Sequence, residues 1–391
     1  MKKQIVKELF SAVLETHNTV QKKQHYLEIP NIVNRLAEQI ISQTYKPGAY
    51  TCFAISDPTP REILAPSYPD RIVHRWLVNK MDPYIDKRFL SCSYANRTGK
   101  GHHRAVKQLQ HYLQNPANKF YLKMDIESFF NSIDHEVLIN LVKRWINKLP
   151  HTTEEKEMLR IATQTIITHN PTRHVVFTGD KEKLKIIPRQ KSYFHNAPGK
   201  GLPLGNLSSQ FFANIYLHEL DFFVKQQLKV KYYLRYVDDI ILLAENNEQL
   251  TYWRNALNGF LEKELKLNAH PKKTILQPAR YGIDFLGYIV RKDYMLVRRR
   301  VVKSFKRKLY FYNNGEQKLQ MLPEKKSLSS LQSCINSYYG IFRFADSYGL
   351  RKDLYLNRFG NLQKMFYANG WFQKIGIMKK QNQPYDSCVR A

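Results

Sequence analysis

Apolar residues recur at intervals of three and four along several segments of the chain, which is the spacing of one helical face. The first segment runs from Lys2 to Ser42 and is expected to end near Lys46-Pro47-Gly48. A later helix is predicted to begin near Ser208 or Ser209, since either hydroxyl could cap it. The same spacing predicts helices over about 70–87, 104–114, 135–169 and 248–265.

Short apolar runs between these helices are bounded by turn-forming residues and predict strands. Tyr121 to Ile126 has the pattern of a short buried strand. Tyr232 to Tyr236 and Ile240 to Ala244 flank the turn Val237-Asp238-Asp239 and predict a hairpin. Further strands are predicted over 50–55 and around 285–288, whereas 170–200 is basic and has no regular pattern.

The apolar runs are too short for a membrane-spanning helix. The longest aliphatic run, Ile240 to Ala244, falls far short of the ~20 residues that a span requires. Charged residues interrupt the N-terminal segment, which lacks the continuous apolar core of a secretion signal. Because the four cysteines are also widely spaced, we expect a cytoplasmic protein with reduced thiols, no disulfides and no membrane partner.

The chain carries a large excess of positive charge. Its 391 residues include 62 Lys and Arg against 33 Asp and Glu, which gives a net charge of +29. Solubility does not require such an excess, so nucleic acid is the expected partner. The excess is concentrated from Arg291 onward, where 21 basic and 6 acidic residues occur. With 43% apolar residues, the chain is too hydrophobic to be a disordered polycation.

Three acidic residues stand at the ends of apolar strands. Asp238 and Asp239 occupy the hairpin turn, and Asp125 follows the run from Tyr121 to Met124. Carboxylates in such places are costly unless a cation neutralises them. Three of them at converging strands suit a site for two magnesium ions. The alternative for Asp238 and Asp239 is an ordinary hairpin turn, since Asp favours turns.

The segments around these acids resemble the motifs of reverse transcriptases. Tyr236-Val237-Asp238-Asp239 resembles the YxDD box of that family. Lys123 to Phe130, followed by Ser132 to His135, resembles its first catalytic motif, and Gly201 to Gln210 resembles its template-contacting and nucleotide-contacting motif. Segments at 60–63, 70–73 and 93–101 resemble the fingers motifs, and those at 272–274 and 285–287 resemble later palm motifs.

This resemblance runs in order from about residue 50 to 290 and implies an α+β right-hand polymerase. The implied domains are N-terminal helices and fingers at 1–118, a palm at 119–290 with an insertion at about 150–200, and a basic helical thumb and tail at 291–391. The implied reaction is RNA-directed DNA synthesis from deoxynucleoside triphosphates. The implied partners are a template RNA and the RNA/cDNA duplex.

The residues at two pairs of positions resemble those of one subgroup of the family. Most reverse transcriptases carry Gln-Gly and Ser-Pro where this chain has Leu204-Gly205 and Ser209-Gln210. The latter combination resembles the enzymes of diversity-generating retroelements, which make adenine-directed errors and work with a small basic accessory variability protein. The alternatives are a defence-associated, retron or intron-encoded reverse transcriptase, an RNA polymerase with the same palm, and a catalytically idle RNA-binding scaffold.

The resemblance also implies roles for the residues at the catalytic centre. Asp125 and Asp238 would bind both magnesium ions, Asp239 would support them, and the carbonyl of Ile126 would complete the site. Phe130 corresponds to the steric gate that excludes a ribose 2′-hydroxyl. The alternative is a core phenylalanine, because a second phenylalanine precedes it and one of the two must face inward.

Contacts to the nucleotide are implied around this centre. Arg61 corresponds to the fingers arginine that contacts the triphosphate, and Lys273 or its neighbour Lys272 to a general acid for pyrophosphate. Gly205 would let the backbone approach the nascent base pair, and Gln210 belongs to the same motif. Leu204 replaces an amide side chain, which would relax the checking of base-pair geometry.

Contacts to template and primer are implied on both sides of the palm. The basic glycine loop at 95–101 could contact template, although a solvated loop is the alternative. Residues 285–287 would form the primer grip, and the basic run 298–308 with the helices at 327–351 would track the duplex. The implied residues are Arg97, Lys100, Tyr236, Val237, Phe285, Leu286 and Gly287.

Overall fold

A computed structural model of the chain describes residues 1–16, 24–55, 59–314 and 324–378. They divide into two compact units. Unit 1 contains residues 1–105 and 119–277, and unit 2 contains residues 106–118 and the described part of 278–391. Helices and antiparallel strands occur in both units, so the predicted α+β class is confirmed. The boundaries of fingers, palm and thumb stay a prediction.

The longer helices of the described residues agree broadly with the apolar spacing. They are α1 (Lys2–Glu15), α2 (Ile29–Ile41), α3 (Tyr68–Ile85), α4 (His102–Leu113), α5 (His135–Asn147), α6 (Thr153–Thr168), α7 (Leu207–Phe222), α8 (Asn247–Leu265), α9 (Arg299–Asn314), α10 (Glu324–Phe342) and α11 (Tyr348–Arg358).

The strands are short. They are β1 (Tyr50–Ile55), β2 (Arg61–Pro66), β3 (Phe120–Met124), β4 (Val175–Phe177), β5 (Tyr232–Tyr236), β6 (Asp239–Ala244), β7 (Ile275–Pro278), β8 (Ile283–Phe285), β9 (Tyr288–Val290), β10 (Met295–Val297), β11 (Phe366–Asn369) and β12 (Lys374–Ile377).

The sheet at the centre of unit 1 has the strand order β5-β6-β3-β7. β6 pairs antiparallel with both of its neighbours, with Met124 opposite Ile240 and Tyr236 opposite Asp239. Residues 240–243 of β6 are at most 1% exposed, and Ile240 and Leu242 pack in the helix-rich core of unit 1. Since antiparallel partners run in opposite directions, the end of β3 meets the start of β6, and the chain leaves β3 beside the β5–β6 turn.

The predicted single helix over 135–169 is two helices. Asp134 caps α5, because its carboxylate accepts a hydrogen bond from the Val137 backbone N–H at 3.1 Å. Pro150 follows α5, and Thr152 then begins α6 through a reciprocal capping box with Glu155. The prediction missed this local stop and start within one long apolar pattern.

Two other predictions about helix ends need correction. Neither Ser208 nor Ser209 caps α7, whose N-cap residue is Asn206. Ser208 is buried and its Oγ lies 2.6 Å from Nδ1 of His74 on α3, so this hydroxyl joins two helices. The N-terminal pattern gives α1 and α2, with Pro30 in the first turn of α2. Residues 17–23 between them lie outside the described residues.

A small sheet of order β2-β1-β4 includes part of the segment 170–200, because β4 lies within it. Leu64 and Cys52 are fully buried in its core against Tyr50 and Tyr193. Glu62 of β2 is also buried and accepts hydrogen bonds from the Ser192 hydroxyl at 2.9 Å and from the Tyr193 backbone N–H. The segment 170–200 therefore has little regular structure but is tied to β2.

Unit 2 has its own aromatic core. Phe305 of α9 packs with Tyr339 and Phe342 of α10 and with Phe359 after α11. The strands β8, β9 and β10 form one antiparallel sheet, and β11 pairs with β12. The strand pair predicted around 285–288 is therefore confirmed as β8 and β9. No helix in the described ranges is both long enough and apolar enough to cross a bilayer.

Candidate active site

Asp125 is held in place by the backbone on either side of it. It follows β3, and its carbonyl accepts a hydrogen bond from the His270 N–H at 2.7 Å. The next residue, Ile126, is buried and forms a β-bridge with Ala269. The segment just before β7 therefore fixes the direction in which the chain leaves the sheet.

Asp238 and Asp239 are presented by a strained turn. Val237 and Asp238 form a two-residue connection between β5 and β6, and Val237 has φ of +55°. This left-handed region is disfavoured for a β-branched residue and costs of order 1–3 kcal/mol. Such a turn ordinarily carries glycine at its first position. The turn therefore costs stability while holding Asp238 at the edge of the sheet.

The three carboxyl groups influence one another electrostatically. Burial raises the pKa of Asp238 to about 7, and the nearby charges of Asp125 and Asp239 add to this effect. Burial also raises the pKa of Asp239, against the opposing influence of Lys123. The structure thus brings the three predicted acids into one electrostatic cluster.

Two lysines partly neutralise this cluster. The Lys273 ammonium donates to both carboxylate oxygens of Asp125, at 2.9 and 3.0 Å. The Lys123 ammonium lies 3.5 Å from Oδ1 of Asp239. Each ammonium group lies beside a carboxylate oxygen, where a metal ion could also bind. The sequence did not identify Lys123 of β3 as a site residue, because the motif does not show the direction of its side chain.

The donor set fits a hard divalent cation, although the acids are not pre-arranged around one. No three His, Cys, Asp or Glu side chains among the described residues form a group ready to hold a metal. The carboxylates of Asp125, Asp238 and Asp239 are nevertheless the ligand type that Mg²⁺ prefers, and burial with two carboxylate neighbours disfavours the charged form of Asp238 when no cation is bound. Their oxygens are the groups that could hold magnesium.

Phe130 and Phe129 face different surroundings. Phe129 is 2% exposed and belongs to the core of unit 1, whereas Phe130 is partly exposed and packs at the edge of that core. The carbonyl of Phe130 accepts a hydrogen bond from the Leu202 N–H at 2.7 Å, which ties this segment to the one before Leu204. Of the two rings, Phe130 is the one with a face available to a substrate.

Gly205 has an intramolecular reason to be glycine. Its φ is +122°, and a Cβ there would lie 2.8 Å from the Leu64 carbonyl oxygen and 2.9 Å from a methyl group of Ile63. Leu204 also accepts a hydrogen bond from the Leu64 N–H at 2.8 Å. The approach is to β2, which explains the glycine without any contact to a base pair. Leu204 is half-buried beside it, and Gln210 is exposed on α7.

A match to the sequence model of a protein family identifies the family of this chain. The model for "Reverse transcriptase (RNA-dependent DNA polymerase)" matches residues 56–290, which is more than half of the chain and includes the whole acidic cluster. The chain belongs to the reverse transcriptase family. The predicted enzyme class, RNA-directed DNA polymerase, is confirmed by this match.

Curated relatives of this reverse transcriptase include intron-encoded proteins. "Protein YkfC" of Escherichia coli is 22% identical over 307 residues, with 69% of this chain and 74% of that protein covered. "Group II intron-encoded protein LtrA" of Lactococcus lactis is 20% identical over 294 residues, and the match covers 59% of this chain and 44% of that protein. The chain thus spans less than half of the intron-encoded relative that it matches.

Solved structures with some likeness to this chain include telomerases. That of Candida albicans, in complex with a fragment of telomeric RNA, covers 80% of this chain and 58% of its own, with 12% identity and a TM-score of 0.43. The apo telomerase of Candida tropicalis has 12% identity and a TM-score of 0.45.

The structure of this reverse transcriptase corrects the prediction for Arg97. Its side chain is 7% exposed and pairs with Asp86. Its guanidinium also donates to the carbonyls of Leu90, Ser93 and Asp86, at 2.7, 3.2 and 2.8 Å. A guanidinium has five N–H donors, and a longer bond to the Phe89 carbonyl at 3.4 Å commits the fifth of them, so that all five go to the preceding segment 86–93. Arg97 therefore shapes the loop and is not free to contact template.

Lys100 is partly committed in the same way. Its ammonium donates to the Ser91 carbonyl at 2.9 Å and lies 4.5 Å from the centre of the Tyr94 ring. Burial lowers its pKa, and the charge of Arg97 adds to that shift. By contrast, Arg61 at the start of β2 is exposed, so its charge faces solvent where a triphosphate could reach it.

The predicted primer grip lies in unit 2. The ring of Phe285 is fully buried there. Its side chain is therefore not exposed to a primer, and the prediction that it contacts one needs correction. Leu286 and Gly287 form the β8–β9 turn with φ of +48° and +90° and are partly exposed. In unit 1, Tyr236 and Val237 are also partly exposed beside Asp238.

Proposed function

We propose that this reverse transcriptase copies an RNA template into DNA at the cluster of Asp125, Asp238 and Asp239, with two magnesium ions. The observation that carries the proposal is the sheet register, because Met124 lies opposite Ile240 and the chain therefore leaves β3 at Asp125 beside the turn that holds Asp238 and Asp239. Burial, with the two neighbouring carboxylates, also raises the pKa of Asp238, which supports a place for a divalent cation there. Magnesium, when bound, supplies activation of the attacking primer oxygen and stabilises charge on the leaving pyrophosphate. The Ile126 carbonyl would complete this site.

The chain's own residues orient the reactants. Tyr236 and Val237 directly precede Asp238 and are placed to contact the primer end. The exposed Arg61 would bind triphosphate oxygens through its planar guanidinium. Lys273, whose ammonium lies beside Asp125, would donate a proton to the leaving pyrophosphate. Its reach to both oxygens of Asp125 supports a position beside the reacting groups.

Deoxynucleotides are the proposed substrates. Phe130 is partly exposed while Phe129 fills the core, which supports Phe130 as the residue that blocks a ribose 2′-hydroxyl. Gln210 is exposed on α7 and would contact the nucleotide. Leu204, held to β2 through its carbonyl, offers an aliphatic surface and no side-chain hydrogen bond to the base pair.

We further propose the diversity-generating subtype, with a template RNA and a small basic accessory protein as cytoplasmic partners. Leu204 carries this proposal, since an aliphatic side chain would relax discrimination at the nascent pair. Replacement by glutamine should lower misincorporation opposite template adenine. The similarity to group II intron-encoded proteins favours an intron-type enzyme as the second candidate. Sequenced cDNA separates the two, because errors spread evenly over all four template bases would favour the intron type.

Primer extension tests the polymerase proposal. A DNA primer annealed to an RNA template is incubated with the protein, Mg²⁺, and either the four dNTPs or the four rNTPs. We expect extension with dNTPs alone, and none from Asp238→Asn. Extension that survives this substitution, or that uses rNTPs equally well, would overturn the proposal.

A further inference from the structure

A buried arginine lies directly before the YxDD box. Arg235 of β5 is 1% exposed and forms a two-point ion pair with Asp221 of α7. Nε lies 2.7 Å from Oδ1 of Asp221, and Nη2 lies 2.7 Å from Oδ2. Nη2 also donates to the Ser93 hydroxyl at 2.9 Å. This guanidinium is therefore fixed by several partners at once.

The same guanidinium reaches the strained turn. Nη1 of Arg235 donates to the Val237 carbonyl oxygen at 3.1 Å. That carbonyl belongs to the peptide group that joins Val237 to Asp238, so the bond fixes the peptide plane from which the Asp238 side chain departs. Val237 has φ of +55° and needs such support, because a β-branched residue disfavours this region.

The backbone of Arg235 joins the turn to the segment that leads into the basic loop. Its N–H donates to the Cys92 carbonyl at 2.9 Å, and its carbonyl accepts from the Tyr94 N–H at 3.0 Å. Asn214 of α7 donates to the Ala95 carbonyl at 2.9 Å. The catalytic turn, α7 and the start of the loop thus meet at one buried side chain.

Stability alone gives a weak reason for this ion pair. Two buried charges lose hydration, and well-packed apolar side chains often replace such a pair at no net cost in stability. What apolar side chains could not supply is the directional bond to the Val237 carbonyl.

We propose that Arg235, held by Asp221, is a positioning residue that keeps the Val237–Asp238 turn in the conformation needed for nucleotidyl transfer. This inference rests on the proposed function, since it concerns the rate of that reaction. Arg235 itself contacts no substrate. A displacement of about 1 Å at a reacting group can cost roughly 100-fold in rate, so the loss of this bond should appear mainly in kcat.

The test uses single-nucleotide incorporation on an RNA template. Arg235→Lys keeps the charge but not the two-point geometry, and should lower kcat about 10- to 100-fold with KM for dNTP within about twofold. Tyr233→Phe is the matched control, because the Tyr233 hydroxyl donates to the same Asp221 at 2.7 Å and does not touch the turn. It should leave kcat within about twofold.

Rescue by glycine separates positioning from a merely structural role. Glycine at position 237 adopts a φ near +55° without strain, so Val237→Gly should retain a measurable rate. In a double-mutant cycle, the loss of kcat caused by Arg235→Lys should be at least about fivefold smaller in the Val237→Gly background than in the wild type. Should Arg235→Lys fold poorly, Arg235→Met with Asp221→Leu removes both buried charges and should show the same loss and the same rescue.

The outcomes are distinct. An unchanged kcat in Arg235→Lys, an equal loss in Tyr233→Phe, an inactive Val237→Gly, or strictly additive effects of the two substitutions would each overturn the inference. If the wild type incorporates nucleotide and Asp238→Asn does not, the proposed function holds even when one of these outcomes overturns the inference about Arg235. An inactive wild type would remove the proposed function, and the inference with it.

Discussion

Burial disfavours the charged forms of the carboxyl groups at the start of β6, and neighbouring carboxylates add to this cost. Lys273 and Lys123 offset part of it, yet the pKa of Asp238 is raised from 3.8 to about 7. Between these two pH values the folded state binds a proton that the unfolded state has already released. Folding stability without metal should therefore fall as pH rises through this range.

Asp238→Asn removes this dependence. In the presence of a chelator, we expect the variant to be more stable than the wild type by about 1–3 kcal/mol at pH 8, with little difference near pH 4. Urea unfolding at the two pH values measures it. Equal stability of the two proteins at pH 8 would mean that Asp238 is not electrostatically strained.

Phe130 offers a second test on a single side chain. Phe130→Val should raise incorporation of rNTPs relative to dNTPs by at least about tenfold, because the ring no longer fills the space of a 2′-hydroxyl. Competition between labelled dNTP and rNTP measures the ratio. Phe129→Leu is the control, since it alters the buried neighbour and should lower thermal stability while preserving sugar selection.

The sequence identifies the acids better than their supports. Asp125, Asp238 and Asp239 are predictable because each ends an apolar strand within a family motif. Arg97 and Arg235 are not, because a sequence shows their charge but not that carbonyls or a buried carboxylate surround it. Arg97 lies in a loop with the pattern of a ligand-binding site, but carbonyls of the preceding segment accept its hydrogen bonds.

At the scale of elements, the backbone of the segment just before α7 packs against the backbone of β2. Gly205→Ala would place a methyl group against the Leu64 carbonyl, at a φ of +122°. We expect a loss of about 2 kcal/mol or more in the free energy of unfolding, together with slower nucleotide incorporation as Leu204 shifts. Gly179→Ala, with φ of +74° and open space around it, is the control for backbone conformation alone. Equal losses in the two variants would show that the close approach is unimportant.

Element boundaries show where periodicity is insufficient. One apolar pattern covers α5 and α6, and only Pro150 and the Thr152–Glu155 capping box reveal the break. The serines at the start of α7 look like caps, but Ser208 bonds a histidine distant in sequence. Such a partner is set by tertiary packing, so local pattern could not reveal it.

At the scale of the whole molecule, the charge of +29 should make binding strongly dependent on salt. Lys303 and Arg307 are exposed on α9, opposite the buried Phe305 and Leu309. If both contact phosphate, replacing both with glutamine should reduce the slope of log K against log salt by about 1.4 to 1.8. Fluorescence anisotropy with an RNA/DNA duplex measures this slope. Lys185→Gln, at a 70% exposed residue paired with Glu182, should leave it unchanged.

The proposed active site requires Asp125 and Asp238 to bind the same ions, although more than a hundred residues separate them in sequence. Iron-mediated backbone cleavage measures this directly, with Fe²⁺ and ascorbate in place of Mg²⁺ and with template and primer bound. We expect cuts in two stretches, near 124–127 and near 237–240, which excess Mg²⁺ suppresses and Asp238→Asn abolishes. Cuts confined to one stretch, or placed elsewhere in the chain, would contradict a shared metal site.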